Sequence, residues 1–154
     1  MKAPPEGWPR LSSAVYYDDA PAAIEWLCRA FGFEVRLKVE ADPGVIVYSE
    51  LAFGEAMIMI SSLGAKAGDA DCINRKSPRS LGGANTQSLC LYVDDVDAHC
   101  AHSTSCGAKV SRPPTTSDYG EDYWIDRSYG CFDPEGHHWW FMQRLSPPKN
   151  SPAK

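Results

Sequence analysis

Short apolar segments alternate with polar turn residues along the chain, and the first apolar segment is followed by a helical pattern. Residues 11–17 are apolar, with β-branched and aromatic members, which predicts a strand. Apolar residues then recur at helical spacing, which predicts a helix over residues 20–31 with Asp19 as its N-cap and Gly32 as its C-cap. The turn residues that follow separate three more predicted strands, at residues 33–39, 45–53 and 56–61.

The same order of elements returns in the second half of the chain. The segment Val15-Tyr16-Tyr17-Asp18-Asp19 is echoed by Leu91-Tyr92-Val93-Asp94-Asp95, and a glycine follows each copy about a helix length later. The second copy predicts a helix that begins after Asp95 and ends at Gly107, with strands at 88–93, 109–112, 128–132 and 138–143. Two such units facing each other tend to enclose a cleft, so a small-molecule site is the first hypothesis.

The repeat divides the chain into parts. Residues 63–85 are rich in Gly, Ala, Ser and charge without a sustained period, so we interpret them as a linker within one domain over residues 8–144. Module one then spans residues 10–62 and module two spans residues 86–144. The proline-rich residues 145–154 are predicted to form a disordered tail.

Composition narrows the possible partners. The 154-residue chain has a formal net charge of −5, and its basic residues form no run, so nucleic acid is not an expected partner. No apolar stretch reaches the roughly 18 residues of a membrane span, and the N-terminal residues lack the apolar core of a signal peptide. We therefore expect a cytoplasmic protein without membrane contact, in which the six cysteines are reduced thiols.

Four stretches carry a family resemblance. Residues 8–10, Ala30-Phe31-Gly32-Phe33-Glu34, residues 92–98 and Asp133-Pro134-Glu135-Gly136-His137 resemble the vicinal-oxygen-chelate superfamily, which contains glyoxalase I, bleomycin-resistance proteins and extradiol dioxygenases. The resemblance implies an α+β fold of two βαβββ modules whose curved mixed sheets surround a cleft. It also implies a homodimer, with modules exchanged or abutted.

The resemblance further implies a divalent metal on four inward positions, one on the first and one on the last strand of each module. Matched motif by motif, these positions are Ser12, Met59, Ser88 and Trp140. Hydroxyl, thioether and indole groups do not supply the N and O donors that such an ion needs. We therefore expect no metal and no other cofactor. His137 and His138 point to opposite faces of a strand, so they cannot both bind one ion from the same side. Surface or capping roles are therefore expected for the histidines.

Aromatic and sulfur-containing residues take the place of metal ligands in the expected cleft. If Trp140 faces inward, strand alternation turns Trp139 and Phe141 toward the helices, and Tyr16 and Tyr92 inward. Such a lining favours flat or apolar ligands. The competing interpretation is that these side chains are ordinary core residues.

An acidic, aromatic segment at residues 115–126 is predicted to be a loop. Its Tyr123 and Trp124, beside four acidic residues, suit a cationic aromatic ligand through stacking and charge. The alternative is an ordinary solvated loop that Trp124 anchors to the core.

Two charged residues lie inside predicted strands and need partners. Glu50 is expected on the cleft face with Tyr48, and Arg127 is its candidate partner in a buried ion pair. Alternatively, Glu50 contacts the ligand or acts as a general base, which makes it the one weak candidate for a catalytic residue.

Together these observations predict a metal-free protein that sequesters a small aromatic, cationic molecule, as the resemblance to bleomycin-resistance proteins implies. The alternative is a metal-dependent or Glu50-dependent lyase, isomerase or dioxygenase, and a weaker one is an accessory module with a protein partner. The candidate ligand-binding residues are Ser12, Tyr16, Glu50, Met59, Ser88, Tyr92, Tyr123, Trp124, Arg127 and Trp140.

Overall fold

A computed structural model describes residues 1–63 and 74–147. The chain divides into two compact units, Met1–Gly83 and Ala84–Lys154. Their boundary falls inside the predicted linker, of which residues 64–73 lie outside the described residues. Within the linker, Pro78–Leu81 form a short 3-10 helix. No helix in the described part of the chain is long and apolar enough to span a membrane.

Unit one contains β1 (Ser13–Tyr17), α1 (Ala20–Phe31), β2 (Glu34–Glu40), β3 (Ile46–Phe53) and β4 (Ala56–Ser62). Helix α1 has the predicted bounds: Asp19 accepts a hydrogen bond from the Ala22 backbone N–H at 3.1 Å, and Gly32 ends the helix at a φ of 85°. The strand order is β1-β4-β3-β2, in which β1 is parallel to β4 and the other pairs are antiparallel.

Unit two repeats this plan with β5 (Ser88–Tyr92), α2 (Val96–Ser105), β6 (Lys109–Asp118), β7 (Ile125–Phe132) and β8 (His138–Ser146). Its strand order is β5-β8-β7-β6, again with one parallel pair, β5 with β8. The predicted α+β fold with two βαβββ modules and mixed sheets is therefore confirmed.

The structure differs from the sequence prediction at two strand ends. Half of the predicted loop at residues 115–126 is strand, because Thr115 to Asp118 pair with Ile125 to Ser128, leaving a turn at residues 119–124. Strand β8 continues to Ser146, two residues into the predicted tail, and residues 148–154 lie outside the described residues. Polar side chains hid the extension of β6, since an edge strand with exposed faces has no apolar alternation.

Each helix covers one face of the sheet in its own unit. In unit two the covered face carries Tyr129, Cys131, Trp139 and Phe141, all with no measurable exposure. In unit one it carries Val15, Tyr17, Ile58 and Ile60, all at most 4% exposed. The predicted direction of Trp139 and Phe141 toward the helix is thus confirmed. The face of each sheet away from its helix is called the open face below.

Candidate functional site

The open face of unit two carries a row of rings and polar groups across β5 and β8. Cross-strand pairing places Ser88 beside His138, Cys90 beside Trp140 and Tyr92 beside Met142. Alternation with the buried Leu91, Trp139 and Phe141 turns this row away from helix α2. Three predicted site residues, Ser88, Tyr92 and Trp140, are therefore together on one surface.

A β-bulge in β6 adds two side chains to this face. Val110 pairs with Cys131 and Arg112 pairs with Gly130, so Ser111 and Arg112 both oppose Gly130. Gly130 provides the space for them, because a Cβ atom there would lie 2.8 Å from the Ser111 Oγ. The sequence interpretation missed Ser111 and Arg112. The adjacent Pro113-Pro114 was an available signal, since proline within strands is confined to edges and bulges.

His138 connects two serines across the open face. Its Nδ1 lies 2.8 Å from the Ser88 Oγ and its Nε2 lies 3.0 Å from the Ser111 Oγ. Burial lowers the pKa of His138, which favours the neutral imidazole. His138 thus lies on the surface, as expected of the histidines, and both of its ring nitrogens have serine partners there.

Trp140 is half-buried at the centre of this group. The His138 ring meets it edge-on, with centroids 5.2 Å apart, and the Arg112 guanidinium carbon lies 5.7 Å from the indole centroid. Gly130 lies beneath the indole, since a Cβ atom there would be 3.2 Å from Trp140 Cζ3. The indole is therefore held in place and still partly open to solvent.

Arg144 organises a second cluster at the other end of the face. It forms an ion pair with the buried Asp126 and donates a hydrogen bond to the Tyr92 hydroxyl at 2.7 Å. Its guanidinium carbon lies 4.6 Å from the Trp124 ring centroid and 5.6 Å from that of Tyr92. Tyr92 and Trp124, both predicted to bind ligand, thus contact the same arginine.

The turn between β6 and β7 has features of both interpretations made from the sequence, a ligand-binding loop and a loop that Trp124 anchors to the core. Trp124 is half-buried against Arg144, as expected of an anchor, whereas Tyr119 and Tyr123 are 54% and 56% exposed. Both tyrosine rings contact Trp124, with centroids 6.0 Å and 6.1 Å away. The tip of this hairpin is therefore an exposed aromatic surface.

Unit one places three more predicted residues on its own open face. Met59 pairs with Ala14 of β1 on one side and with Glu50 of β3 on the other, and Tyr16 follows on the same face. The Arg75 guanidinium carbon lies 5.0 Å from the Tyr16 ring centroid. Ser12, just before β1, has a buried hydroxyl without a hydrogen-bond partner among the described residues.

Glu50 forms the ion pair that its burial required, but with a different partner from the one predicted. Its carboxylate lies 3.5 Å from Arg36 Nε and accepts a hydrogen bond from the Tyr48 hydroxyl at 3.0 Å. Burial and this hydrogen bond raise the pKa of Tyr48. Arg36 reaches Glu50 because it follows Val35, which pairs with Leu51, and at the bulge between Val35 and Leu37 both Arg36 and Leu37 lie opposite Glu50.

Arg127 lies away from the open face. It donates to both carboxylate oxygens of Asp97 in α2, at 2.6 Å and 2.7 Å, and to the Thr116 hydroxyl at 3.1 Å. Its cross-strand neighbour Gln143 accepts a hydrogen bond from the Val96 backbone N–H at the start of the same helix. The prediction that Arg127 pairs with Glu50 is therefore wrong, and its side chain stays on the helix side of the sheet.

The motif at residues 133–137 holds a turn. Asp133 Oδ1 accepts from the backbone N–H groups of Glu135 and His137, each at 3.0 Å, and Oδ2 accepts from Trp139 Nε1 at 3.0 Å. Asp133 is only 3% exposed, so the carboxylate is fully used in joining the turn to β8. This motif positions Trp140 without presenting a reactive group itself.

The metal implied by the resemblance does not fit the groups at its four positions. Ser12, Met59, Ser88 and Trp140 present two hydroxyls, a thioether and an indole, which make a poor donor set for a divalent ion. Nor do any three His, Cys, Asp or Glu residues within 1–63 and 74–147 come together in a group that could hold a metal ion. No reaction step through a metal can be derived from these residues.

Comparison with known proteins gives a consistent family. The family model described as "Glyoxalase/Bleomycin resistance protein/Dioxygenase superfamily" matches residues 11–141. An uncharacterized protein of Mycobacterium tuberculosis (strain H37Rv) is 29% identical over 136 residues, which cover 85% of this chain and 72% of that protein. The crystal structure of TioX from Micromonospora sp. ML1 is 27% identical, with a TM-score of 0.68, and the match covers 89% of this chain and 99% of TioX.

A more distant structure shows the same fold. It is a glyoxalase/bleomycin resistance protein/dioxygenase family enzyme from Burkholderia phytofirmans PsJN, 17% identical with a TM-score of 0.59. The match covers 87% of this chain and 97% of that enzyme.

Proposed function

Because the chain belongs to the glyoxalase/bleomycin resistance protein/dioxygenase superfamily, we propose that it binds and sequesters a small aromatic molecule without a metal, on the open face of unit two. The observation that carries this proposal is Trp140. An indole stands, half-buried and braced by His138 and Gly130, at the position where the resemblance implies a metal ligand.

The surroundings of Trp140 favour flat ligands. The Cys90 Sγ lies 3.6 Å from the Met142 Sδ next to the indole, and Tyr92 is 52% exposed beside them. Sulfur and ring faces adapt to apolar, planar molecules. Each aromatic contact adds on the order of 1 kcal/mol beyond the area that it buries. Tyr16 and Met59 are proposed as contacts for a flat ligand on the open face of unit one, taken by itself.

The sequence expectation of a cationic ligand comes from the acidic hairpin, where Asp118, Glu121 and Asp122 lie beside the exposed tyrosines. Acidic groups of this kind attract cations over long range. The proposed function itself does not depend on the charge of the ligand.

The enzyme alternative receives less support from the contacts. Glu50, the candidate general base, is already paired with Arg36 and hydrogen-bonded by Tyr48. These contacts occupy carboxylate lone pairs that a general base needs for the substrate proton. The structural role therefore accounts for Glu50 without a reaction.

The proposal is tested by titrating the full chain with planar aromatic compounds and measuring affinity by calorimetry. The Trp140→Ala variant should bind about tenfold more weakly, since it loses one ring contact and its buried area. Trp8→Ala is the matched control, because Trp8 is a half-buried indole in the N-terminal segment of unit one. Equal affinity of the Trp140→Ala variant and the wild type would contradict the proposal.

Elemental analysis separates the sequestration function from the enzyme alternative. We expect no stoichiometric Zn, Ni, Fe or Mn in protein purified without chelators. One tightly held ion per chain would favour the enzyme.

We further propose that the protein is a homodimer, as the family resemblance implies. Sedimentation equilibrium of the full chain should give twice the chain mass of 16.9 kDa. A mass equal to one chain at micromolar concentration would contradict this.

A further inference from the structure

Unit two has three arginines, and they differ in their partners. Arg144 is paired with Asp126, and Arg127 is paired with Asp97. Arg112 has no carboxylate partner among the described residues; its recorded contacts are the Trp140 ring and the Ser117 hydroxyl at 3.5 Å. An uncompensated, exposed guanidinium therefore stands beside the ring that carries the proposed function.

The bulge in β6 is what brings this charge to the face. Ser111 and Arg112 share the space opposite Gly130, so the guanidinium and the Ser111 hydroxyl reach the same side of the sheet. Lys109, two residues before Ser111, pairs with Phe132, whose ring meets His138 with centroids 4.9 Å apart. Lys109 and Arg112, the two cationic residues of this strand, thus lie on the edge of the open face.

The serine–histidine bridge supplies a hydrogen-bond donor. A neutral imidazole has one N–H and one bare nitrogen. One serine must therefore donate its hydroxyl hydrogen to the bare nitrogen, while the other accepts from the N–H. The accepting serine keeps its own hydroxyl hydrogen, and Ser88 and Ser111 have no other recorded partner among the described residues. Either tautomer of His138 leaves one hydroxyl free to donate to a ligand.

The aromatic faces of unit two already have cations beside them. A guanidinium carbon lies within 6 Å of the ring centroids of Trp140, Tyr92 and Trp124. A cationic ligand would have to compete with these arginines for the ring quadrupoles and would be repelled by Arg112. The net charge of −5 does not reverse this, because salt screens distant charges beyond about 8 Å.

From these contacts we infer that the ligand of this face is a planar anion, of the class of aromatic carboxylates. Its ring lies on the Trp140 indole. Its anionic group accepts hydrogen bonds from the Arg112 guanidinium and from the free serine hydroxyl beside His138. The assigned charge rests on the proposed function, because it concerns the same face and the same indole.

The spacing permits this arrangement. The Arg112 guanidinium carbon lies 5.7 Å from the Trp140 ring centroid, and Arg112 is exposed and lies on an edge strand. A ligand ring stacked on the indole stands about 3.5 Å above it. The guanidinium therefore has to move only to the side of that ring, where it can donate to the carboxylate at the ring edge.

The test uses three probes of one shape that differ in charge: naphthalene-2-carboxylate, naphthalene-2-carboxamide and naphthalene-2-carboxamidinium. Their affinities for the full chain are measured by calorimetry at an ionic strength of about 0.15 M, where the Debye length is about 8 Å. We expect the carboxylate to bind about tenfold more tightly than the amide, and the amidinium to bind most weakly. In the Arg112→Gln variant the carboxylate and the amide should bind equally. The Arg29→Gln variant, which removes the same charge from α1 in unit one, should keep the preference.

The outcomes separate the two proposals. If none of the probes binds, the aromatic site itself is refuted. If the amide binds in a Trp140-dependent way but the amidinium binds as tightly as the carboxylate or more tightly, the proposed function stands and the anionic assignment fails. A preference for the carboxylate that survives in the Arg112→Gln variant also overturns the assignment. Circular dichroism of each variant checks that the fold is unchanged.

Discussion

The substitution Gly130→Ala tests whether the open face of unit two is built around a missing side chain. Gly130 is buried in β7, opposite the bulge and beside Trp140. An added Cβ atom would lie 2.8 Å from the Ser111 Oγ, closer than real Cβ atoms come to another atom. It would also lie 3.2 Å from both His138 Nε2 and Trp140 Cζ3, where a shift of a few tenths of an ångström is enough.

Two effects of opposite sign decide the stability of this variant. Alanine restricts the unfolded chain and so stabilises the protein by about 0.4–1 kcal/mol where its backbone conformation is compatible. Overpacking of a tight site costs about 1–3 kcal/mol. We expect the second effect to exceed the first, because the Ser111 hydroxyl must leave its hydrogen bond with His138. The net loss should be about 1 kcal/mol in the free energy of unfolding.

A double-mutant cycle gives this prediction its specificity. In the Ser111→Ala background the closest contact is gone, so adding Gly130→Ala should change stability by less than about 0.5 kcal/mol. Urea unfolding followed by tryptophan fluorescence measures all four proteins. The reasoning is refuted if Gly130→Ala stabilises the wild type, or if its cost is the same in both backgrounds.

Three further predictions follow from individual contacts. Asp133→Ala should lower the free energy of unfolding by about 3 kcal/mol in urea titrations, because it leaves two backbone N–H groups and the Trp139 indole N–H without an acceptor; a loss below about 1 kcal/mol would contradict this. The free energy of unfolding should fall as pH drops through about 6.5, because the pKa of His138 is lowered in the folded state and the unfolded chain binds the proton first. A His138→Gln variant should show a shallower decline with pH. An identical pH profile in the variant and the wild type would contradict this prediction. Arg36→Gln should lower the free energy of unfolding by about 2 kcal/mol, since it leaves Glu50, which is 7% exposed, without its cation. Lys38→Gln on the same strand removes an exposed ion pair and should cost less than about 0.5 kcal/mol. Similar losses in the two variants would disprove the buried pair.

Much of the fold was predictable because it follows from local patterns. Helix α1 is defined at both ends by residues with strong capping preferences, Asp19 and Gly32. The strands that cover the core alternate cleanly, so the directions of Trp139 and Phe141 followed from the period of two. The edge strand β6 has no such pattern, and its length was underestimated for that reason.

The candidate site was predictable only in part. The row formed by Ser88, Tyr92 and Trp140 followed from alternation and from the internal repeat. Arg112 was missed because regular alternation would turn it toward the helix, whereas the bulge in β6 turns it to the open face. The predicted partner of Glu50 was wrong because the pairing of β2 with β3, which sets Arg36 opposite Glu50, is not contained in the spacing within either strand.

The amino-acid sequence by itself determined the two βαβββ units, the faces of their regular strands and the presence of rings and sulfur where metal ligands are implied. These properties depend on residue type and on spacing within one element, which the order of residues contains directly. Only the tertiary structure decided which arginine pairs with which acid and which one stays unpaired beside Trp140. Those choices depend on how strands and helices are brought together, and at Arg112 on a register shift of a single residue in β6. The energy that selects a register comes from contacts with residues distant in the chain.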